Sequence, residues 1–276
     1  MSQTGETDIR VTGRRALLDA LEALAEHRDA VVLVGAQAIY LHTGDALVAL
    51  AESTKDSDLA IDPKRLGDDP LLEEAMQRAG FVVGSQPGRW LSPDGIPVDL
   101  MVPELLAGKG SRRSGKISPH DDQATRRTAG LEAAVVDHRP MTIRALDPLD
   151  FRQIEMKVAS PAALLVAKLH KLGERQQQTP DRLVDKDAHD VYRLLVAIDT
   201  AELAHSLRQL VADEFCGLVS KQALVYLEEM FSAGPASVGA FMAGRAEQLV
   251  GDPAYVSASA AALAKDLLAI AGEGGA

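Results

Sequence analysis

Cysteine and aromatic side chains are scarce in this sequence, positive charge is outnumbered, and no long apolar run occurs. Cys216 is the single cysteine, so no internal disulfide can form. The opening residues MSQTGETDIR lack the apolar segment of an export signal, which makes a cytoplasmic location the expectation. The strongest apolar run, Ala30 to Val34, suits a buried strand and falls far short of a bilayer span, so no membrane role is expected. Trp90 and the four tyrosines form no base-stacking array, and the seven histidines are scattered without metal-ligand spacing. A formal charge of −11 disfavours indiscriminate binding to a polyanion.

What is present suffices for a core: 46% of the 276 residues are apolar, enough for one or two compact units. Leu17, Leu18, Leu21 and Leu24 fall at helical spacing between about Arg14 and His27. Val31-Val32-Leu33-Val34 predicts a buried strand ending at Gly35, with a short helix from Ala36 to Leu41. Asp58 to Asp62 predicts a second strand, and Asp69 to Ala79 a helix closed by Gly80. Short strands are expected at Phe81 to Val83, Arg89 to Leu91 and Ile96 to Val102, with Pro93-Asp94-Gly95 as a turn. Leu131 to His138 and Ile154 to Val158 also read as strands. From Ser160, an N-cap followed by Pro161, the pattern turns helical, with Asp185 as the cap of the next helix and helices onward to about Ala271. The fold class predicted is α/β followed by α, divided as residues 1–158 and 159–276.

The chemistry concentrates in Thr54-Lys55-Asp56-Ser57-Asp58-Leu59. Residues two apart on an extended segment point the same way, so Asp56 and Asp58 set two carboxylates side by side. Their repulsion is relieved by a divalent ion such as Mg²⁺ or Mn²⁺, which keeps open positions for phosphate oxygens. The competing account is a pair of solvated strand-end acids. Gly35 permits close backbone approach and offers helix N-terminal amides to a phosphate. Asp99, within Pro97-Val98-Asp99-Leu100-Met101-Val102, is a third candidate acid for metal binding or proton transfer, or else an exposed edge residue.

Lys168 lies on the stripe Leu164, Lys168, Leu172 of a predicted buried helix face, and Asp187 and Asp190 lie at the inner side of the next helix. A buried ammonium needs an anionic partner, which is either a protein carboxylate in a structural pair or a triphosphate. Between Lys109 and Arg127, six basic residues (Lys109, Arg112, Arg113, Lys116, Arg126, Arg127) face only Asp121 and Asp122. That segment reads either as a docking surface for an RNA end or as a solvated loop.

Taken in order, Val31 to Ala38, Thr54 to Leu59, Pro97 to Leu100, Ala167-Lys168-Leu169 and Lys186 to Val191 resemble the AbiEii/AbiGii nucleotidyltransferases, including the MenT toxins within that group. The resemblance implies a polymerase-β-like core with a mixed sheet and a helical C-terminal lobe. It implies catalytic roles for Asp56, Asp58, Lys168 and Asp190, and nucleotide contacts from Gly35, Thr54, Lys168 and Asp187. The metal ligands it implies are Asp56 and Asp58, to which the residue pattern alone adds Asp99. It further implies an NTP substrate, the 3′ end of tRNA as acceptor, and a cognate antitoxin as partner. The sequence departs from the family where Ala36 follows Gly35, since many members carry a second Gly or a Ser there. Two other readings remain: AMP transfer to a protein or a small hydroxyl compound, and a catalytically silent regulatory binding protein.

Overall fold

The computed structural model describes residues 3–44, 56–109 and 113–272 of the chain. Contacts divide the chain into two units, Met1–Ala38 with Ser53–Ala159 and Ile39–Glu52 with Ser160–Ala276. The first is a mixed α/β unit with an open mixed sheet, and the second is helical.

The sheet comprises β1 (Val31–Val34), β2 (Ser57–Ile61), β3 (Val82–Val83), β4 (Arg89–Leu91), β5 (Pro97–Pro103), β6 (Arg126–Thr128), β7 (His138–Arg144) and β8 (Gln153–Ala159). Its order is β3-β4-β5-β2-β1-β8-β7, with β6 added to β5. β1 is apolar at every position and buried throughout, which suits an interior strand between antiparallel β2 and parallel β8. β5 is flanked by β2, parallel to it, and by antiparallel β4. Val98, Leu100 and Val102 are fully buried there, while the alternate residues Asp99 and Met101 are nearly so. Asp99 is therefore no exposed edge acid.

The helix α1 (Gln3–Ala23) begins earlier than its leucine spacing foretold and buries Leu17, Leu18 and Leu21. Next come α2 (Gly35–Thr43), whose residues from Ile39 group with the helical unit, and α3 (Leu72–Arg78). The strand expected over Leu131 to His138 is corrected: Glu132–Val136 forms a short helix, α4, and the strand is β7, beginning at His138. Glu132, Ala133 and Ala134 favour helix, and one oxygen of the buried Glu132 carboxylate, Oε1, accepts from the Leu105 amide. β6 had no counterpart in the sequence reading, because Arg126-Arg127-Thr128 shows no apolar alternation.

The second unit contains α5 (Pro161–Gln178), α6 (Asp185–Ala197), α7 (Thr200–Ala212), α8 (Gly217–Leu227), α9 (Val238–Arg245) and α10 (Pro253–Gly272). Ser160 Oγ accepts the Ala163 amide at 3.1 Å, so α5 has the predicted cap. Asp185 is not a cap: it lies inside the first turn of α6, and its carboxylate pairs with Arg245 instead. Arg193 in α6 is 2% exposed and donates to Thr43 Oγ1 and to the Thr43 carbonyl at 2.7 and 2.9 Å, placing a cation at the C-terminal end of α2. The expectation that no apolar stretch reaches bilayer length needs correction at α10, which by length and composition alone would suffice, with a mean hydropathy of 1.3. Alanine is its commonest residue. The buried residues Val256, Ala260, Ala264 and Leu267 form one helical stripe, and α10 packs on α7 and α9.

Candidate functional site

The register of three strands builds the site in the first unit. Asp58 on β2 lies opposite Asp99 on β5, and Asp99 lies opposite Arg89 on β4. Directly opposed residues share a sheet face, so two acids and an arginine form one cross-strand row. Asp56, just ahead of β2, joins them through Arg89. The Arg89 guanidinium donates from Nε to Asp99 Oδ1 at 3.1 Å and from Nη2 to Asp56 Oδ2 at 3.2 Å. Arg126 at the start of β6 donates from Nη2 to the second oxygen of Asp99 at 3.1 Å. Both Asp99 oxygens are thereby engaged by arginine. Burial alone would lower the pKa of Arg89, but attraction to Asp99, then Asp56 and Asp58, outweighs it and raises the value.

Two glycines make this geometry possible. Gly35 opens α2 with φ +71°, and a Cβ added there would lie 2.1 Å from Asp58 Oδ2. The Asp58 carboxylate thus abuts the N-terminus of α2, where partial positive charge favours an acid. Gly88, at φ +72°, lets the chain ahead of Arg89 run against Leu100 O and the Arg126 amide, which a Cβ would meet at 2.3 and 2.4 Å. Gly35→Ala is expected to cost about 1–2 kcal/mol for the left-handed backbone, with a further cost for pushing the Asp58 carboxylate aside. A denaturant melt checks this, and a variant as stable as wild type contradicts the close approach of Asp58 to Gly35.

The segment between the paired acids is anchored from behind. Ser57 is fully buried, and its Oγ accepts from Gln37 Nε2 at 2.8 Å. Gln37 Oε1 in turn accepts from Arg14 Nε at 3.1 Å. Alternation along β2 sends Ser57 to the face opposite Asp58, so this buried network fixes the strand without occupying the acidic side.

In the second unit, Lys168 Nζ lies 2.8 Å from Asp187 Oδ1 and 2.6 Å from Asp190 Oδ2. Lys171 and Arg175 also reach Asp187, at 2.8 and 3.2 Å. Burial would lower the Lys168 pKa, but the two carboxylates overcome it and raise the value. Asp187 is held well below the usual carboxylate range: its burial acts upward, and Lys168 and Lys171 outweigh it. Lys186 shifts down through burial and the repulsion of Lys168 and Lys171, which Asp190 and Asp187 only partly offset. Within this unit Lys168 belongs to an ion-pair network that contains the Lys168–Asp190 pair named in one of the two sequence readings.

Thr54 lies outside the described residues. The basic stretch from Lys109 to Arg127 is less available than its charge count suggested. Arg126 is committed to Asp99, Arg127 to the carbonyls of Ala107 and Gly108, and Lys116 pairs with Asp122 at 3.3 Å. Arg89, Ser57 and Gln37 were given no role from the sequence, and Arg126 was read only as part of the basic segment, not as a partner of Asp99. Among the described residues no group of three or more His, Cys, Asp or Glu side chains is placed to hold a metal ion. With Asp99 spent on arginines, Asp56 and Asp58 are the donors that fit Mg²⁺, an ion that takes one or two protein carboxylates and completes its shell with water and phosphate. Compared with family models, curated proteins and solved structures, the chain matches none.

Proposed function

We propose that the chain is a nucleotidyltransferase with a polymerase-β-like core, moving a nucleoside monophosphate from an NTP to a hydroxyl acceptor. The observation that supports this reading best is the convergence of Asp56, Asp58 and Asp99 around a single guanidinium, beside the glycine that opens α2. Three acids against two arginines keep an excess of negative charge, and the pair Asp56 and Asp58 suits a metal-bound triphosphate. In the reaction, the acceptor oxygen forms a bond to the α-phosphorus, the bond from that phosphorus to the β-phosphate oxygen breaks, pyrophosphate leaves, and the acceptor proton passes to a carboxylate or to water. A divalent ion held by Asp56 and Asp58 would supply charge neutralisation and in-line orientation.

Asp58, backed by the α2 N-terminus and by Ser57 behind the strand, keeps its carboxylate fixed without reorganisation. Lys168, with Asp187 and Asp190, is assigned to charge on the nucleotide, as the resemblance to AbiEii-type enzymes implies. The acceptor proposed is RNA, first the 3′ end of tRNA, in a cytoplasmic toxin–antitoxin setting. Engagement of Arg126 and Arg127 within the chain removes part of the electrostatic support for RNA, so AMP transfer to a protein or small hydroxyl compound stays as the second reading. Incubation of the protein with each α-labelled NTP, Mg²⁺ and a total cell extract is expected to place label on RNA. Label on protein or on small molecules replaces the acceptor, and absence of label from every fraction removes the enzymatic reading.

A further inference from the structure

Asp99 was a candidate third metal ligand, but its surroundings give it another task. It is 4% exposed, and each of its oxygens accepts from a different arginine. A buried carboxylate so engaged is a poor ligand for an incoming cation and a good anchor for guanidinium groups. Arg89 uses two of its five N–H donors, on Asp99 and Asp56. Arg126 uses Nη2, on Asp99 and the Met101 sulfur, at 3.1 and 3.2 Å. Nη1 of both residues and Nε of Arg126 have no acceptor among the described residues. The two side chains remain 31% and 29% exposed, so these donors are open to a ligand.

Charge then decides the order of events. Taken by themselves, the three carboxylates of Asp56, Asp58 and Asp99 and the guanidinium groups of Arg89 and Arg126 sum to one negative charge, which a divalent ion turns to one positive charge. Arg89 Nη2 lies 3.2 Å from Asp56 Oδ2, and a cation bound at Asp56 repels that guanidinium and competes with it for the carboxylate's charge. Resting on the nucleotidyltransferase reading, we infer that Arg89 is an internal counter-ion of Asp56 that a divalent cation displaces, and that Asp99 then presents Arg89 and Arg126 to the triphosphate of the incoming nucleotide. Asp99 is thus a positioning residue, and the arginines are the anion receptor. Planar guanidinium groups on a fixed anchor match phosphoryl oxygens in a way that a flexible lysine does not.

The test is calorimetric titration of the full chain with Mn²⁺ alone, and then with a non-hydrolysable NTP at saturating Mn²⁺, for wild type, Arg89→Ala, Arg89→Lys and Asp99→Asn, each checked by thermal unfolding. Arg89→Ala is expected to bind Mn²⁺ about threefold to tenfold more tightly and the nucleotide about tenfold or more weakly. Arg89→Lys, which keeps the charge, should fall between on both counts. Asp99→Asn is expected to weaken the nucleotide while leaving Mn²⁺ affinity within about twofold of wild type. Mn²⁺ affinity unchanged in Arg89→Ala overturns the counter-ion role, and a tenfold loss of Mn²⁺ affinity in Asp99→Asn makes Asp99 a ligand after all. Failure of the wild type to bind any NTP overturns the nucleotidyltransferase reading and the triphosphate assignment together, whereas tighter Mn²⁺ binding by Arg89→Ala in that case still supports the displaced counter-ion.

Discussion

Asp58→Asn is expected to reduce nucleotidyl transfer on the order of 10³-fold or more, because several kcal/mol of charge stabilisation at the phosphates is lost with the carboxylate. The amide keeps the shape that abuts Gly35, and Ser57 still anchors the strand, so the unfolding midpoint should stay near that of the wild type. Asp56→Ala should match it in activity. Its side chain is 44% exposed, and truncation leaves no buried group unpaired, since Arg89 retains Asp99. Initial rates with an α-labelled NTP, measured beside a denaturant melt, separate loss of chemistry from loss of fold. A normally folded Asp58→Asn protein transferring at the wild-type rate removes the catalytic assignment.

Lys168→Met should have the largest effect on stability. Asp190, with a side chain 1% exposed, has Lys168 as its ion-pair partner, and Asp187 loses its buried partner while keeping the more exposed Lys171 and Arg175. Removing one partner of a buried pair costs about 3–5 kcal/mol, since the other charge stays desolvated. The same network sets a pH dependence. The folded-state pKa of Asp187 is depressed below its ordinary value of 3.8, so its contribution is whole above that value and is lost as pH falls through the folded value, in strong acid. The pKa of Lys168 is raised above 10.5, so its contribution is whole below 10.5 and is lost only at still more alkaline pH. Urea melts of the wild type should therefore weaken below about pH 4, and Asp187→Asn should flatten that acid limb. A Lys168→Met protein within ~0.5 kcal/mol of wild type at pH 7 would show that the pair carries no net stability.

The parts of the fold that sequence made legible are those in which local pattern and tertiary environment agree. Val31 to Val34 is apolar at every position and occupies the middle of the sheet; Ser160-Pro161 announces α5 because cap chemistry is local. Leu131 to Val136 misled because a short apolar run cannot distinguish strand from buried helix, and there the helix-forming Glu132, Ala133 and Ala134 prevailed. Asp185 misled because a second partner, Arg245, lies sixty residues away. At the acidic site the Asp56 and Asp58 spacing is readable, but the arginines that accompany it come from other strands and lie outside that spacing. Arg89 could have been found: the turn centred on Asp94 sets residues at equal distances on either side opposite each other, which pairs Arg89 with Asp99. Arg126 had no such signal, since β6 reaches β5 after a long excursion and with no apolar alternation.

Which phosphate moves decides whether the chemistry at Asp56 and Asp58 is nucleotidyl transfer. The direct measurement supplies one NTP labelled at the α-phosphate and, separately, at the γ-phosphate, to the wild-type protein with Mg²⁺ and the acceptor fraction. The α label should remain on the acceptor and the γ label should leave as pyrophosphate, both abolished by Asp58→Asn. A γ label carried onto the acceptor, or α label transferred equally by the Asp58→Asn protein, would contradict a nucleotidyl transfer centred on Asp56 and Asp58.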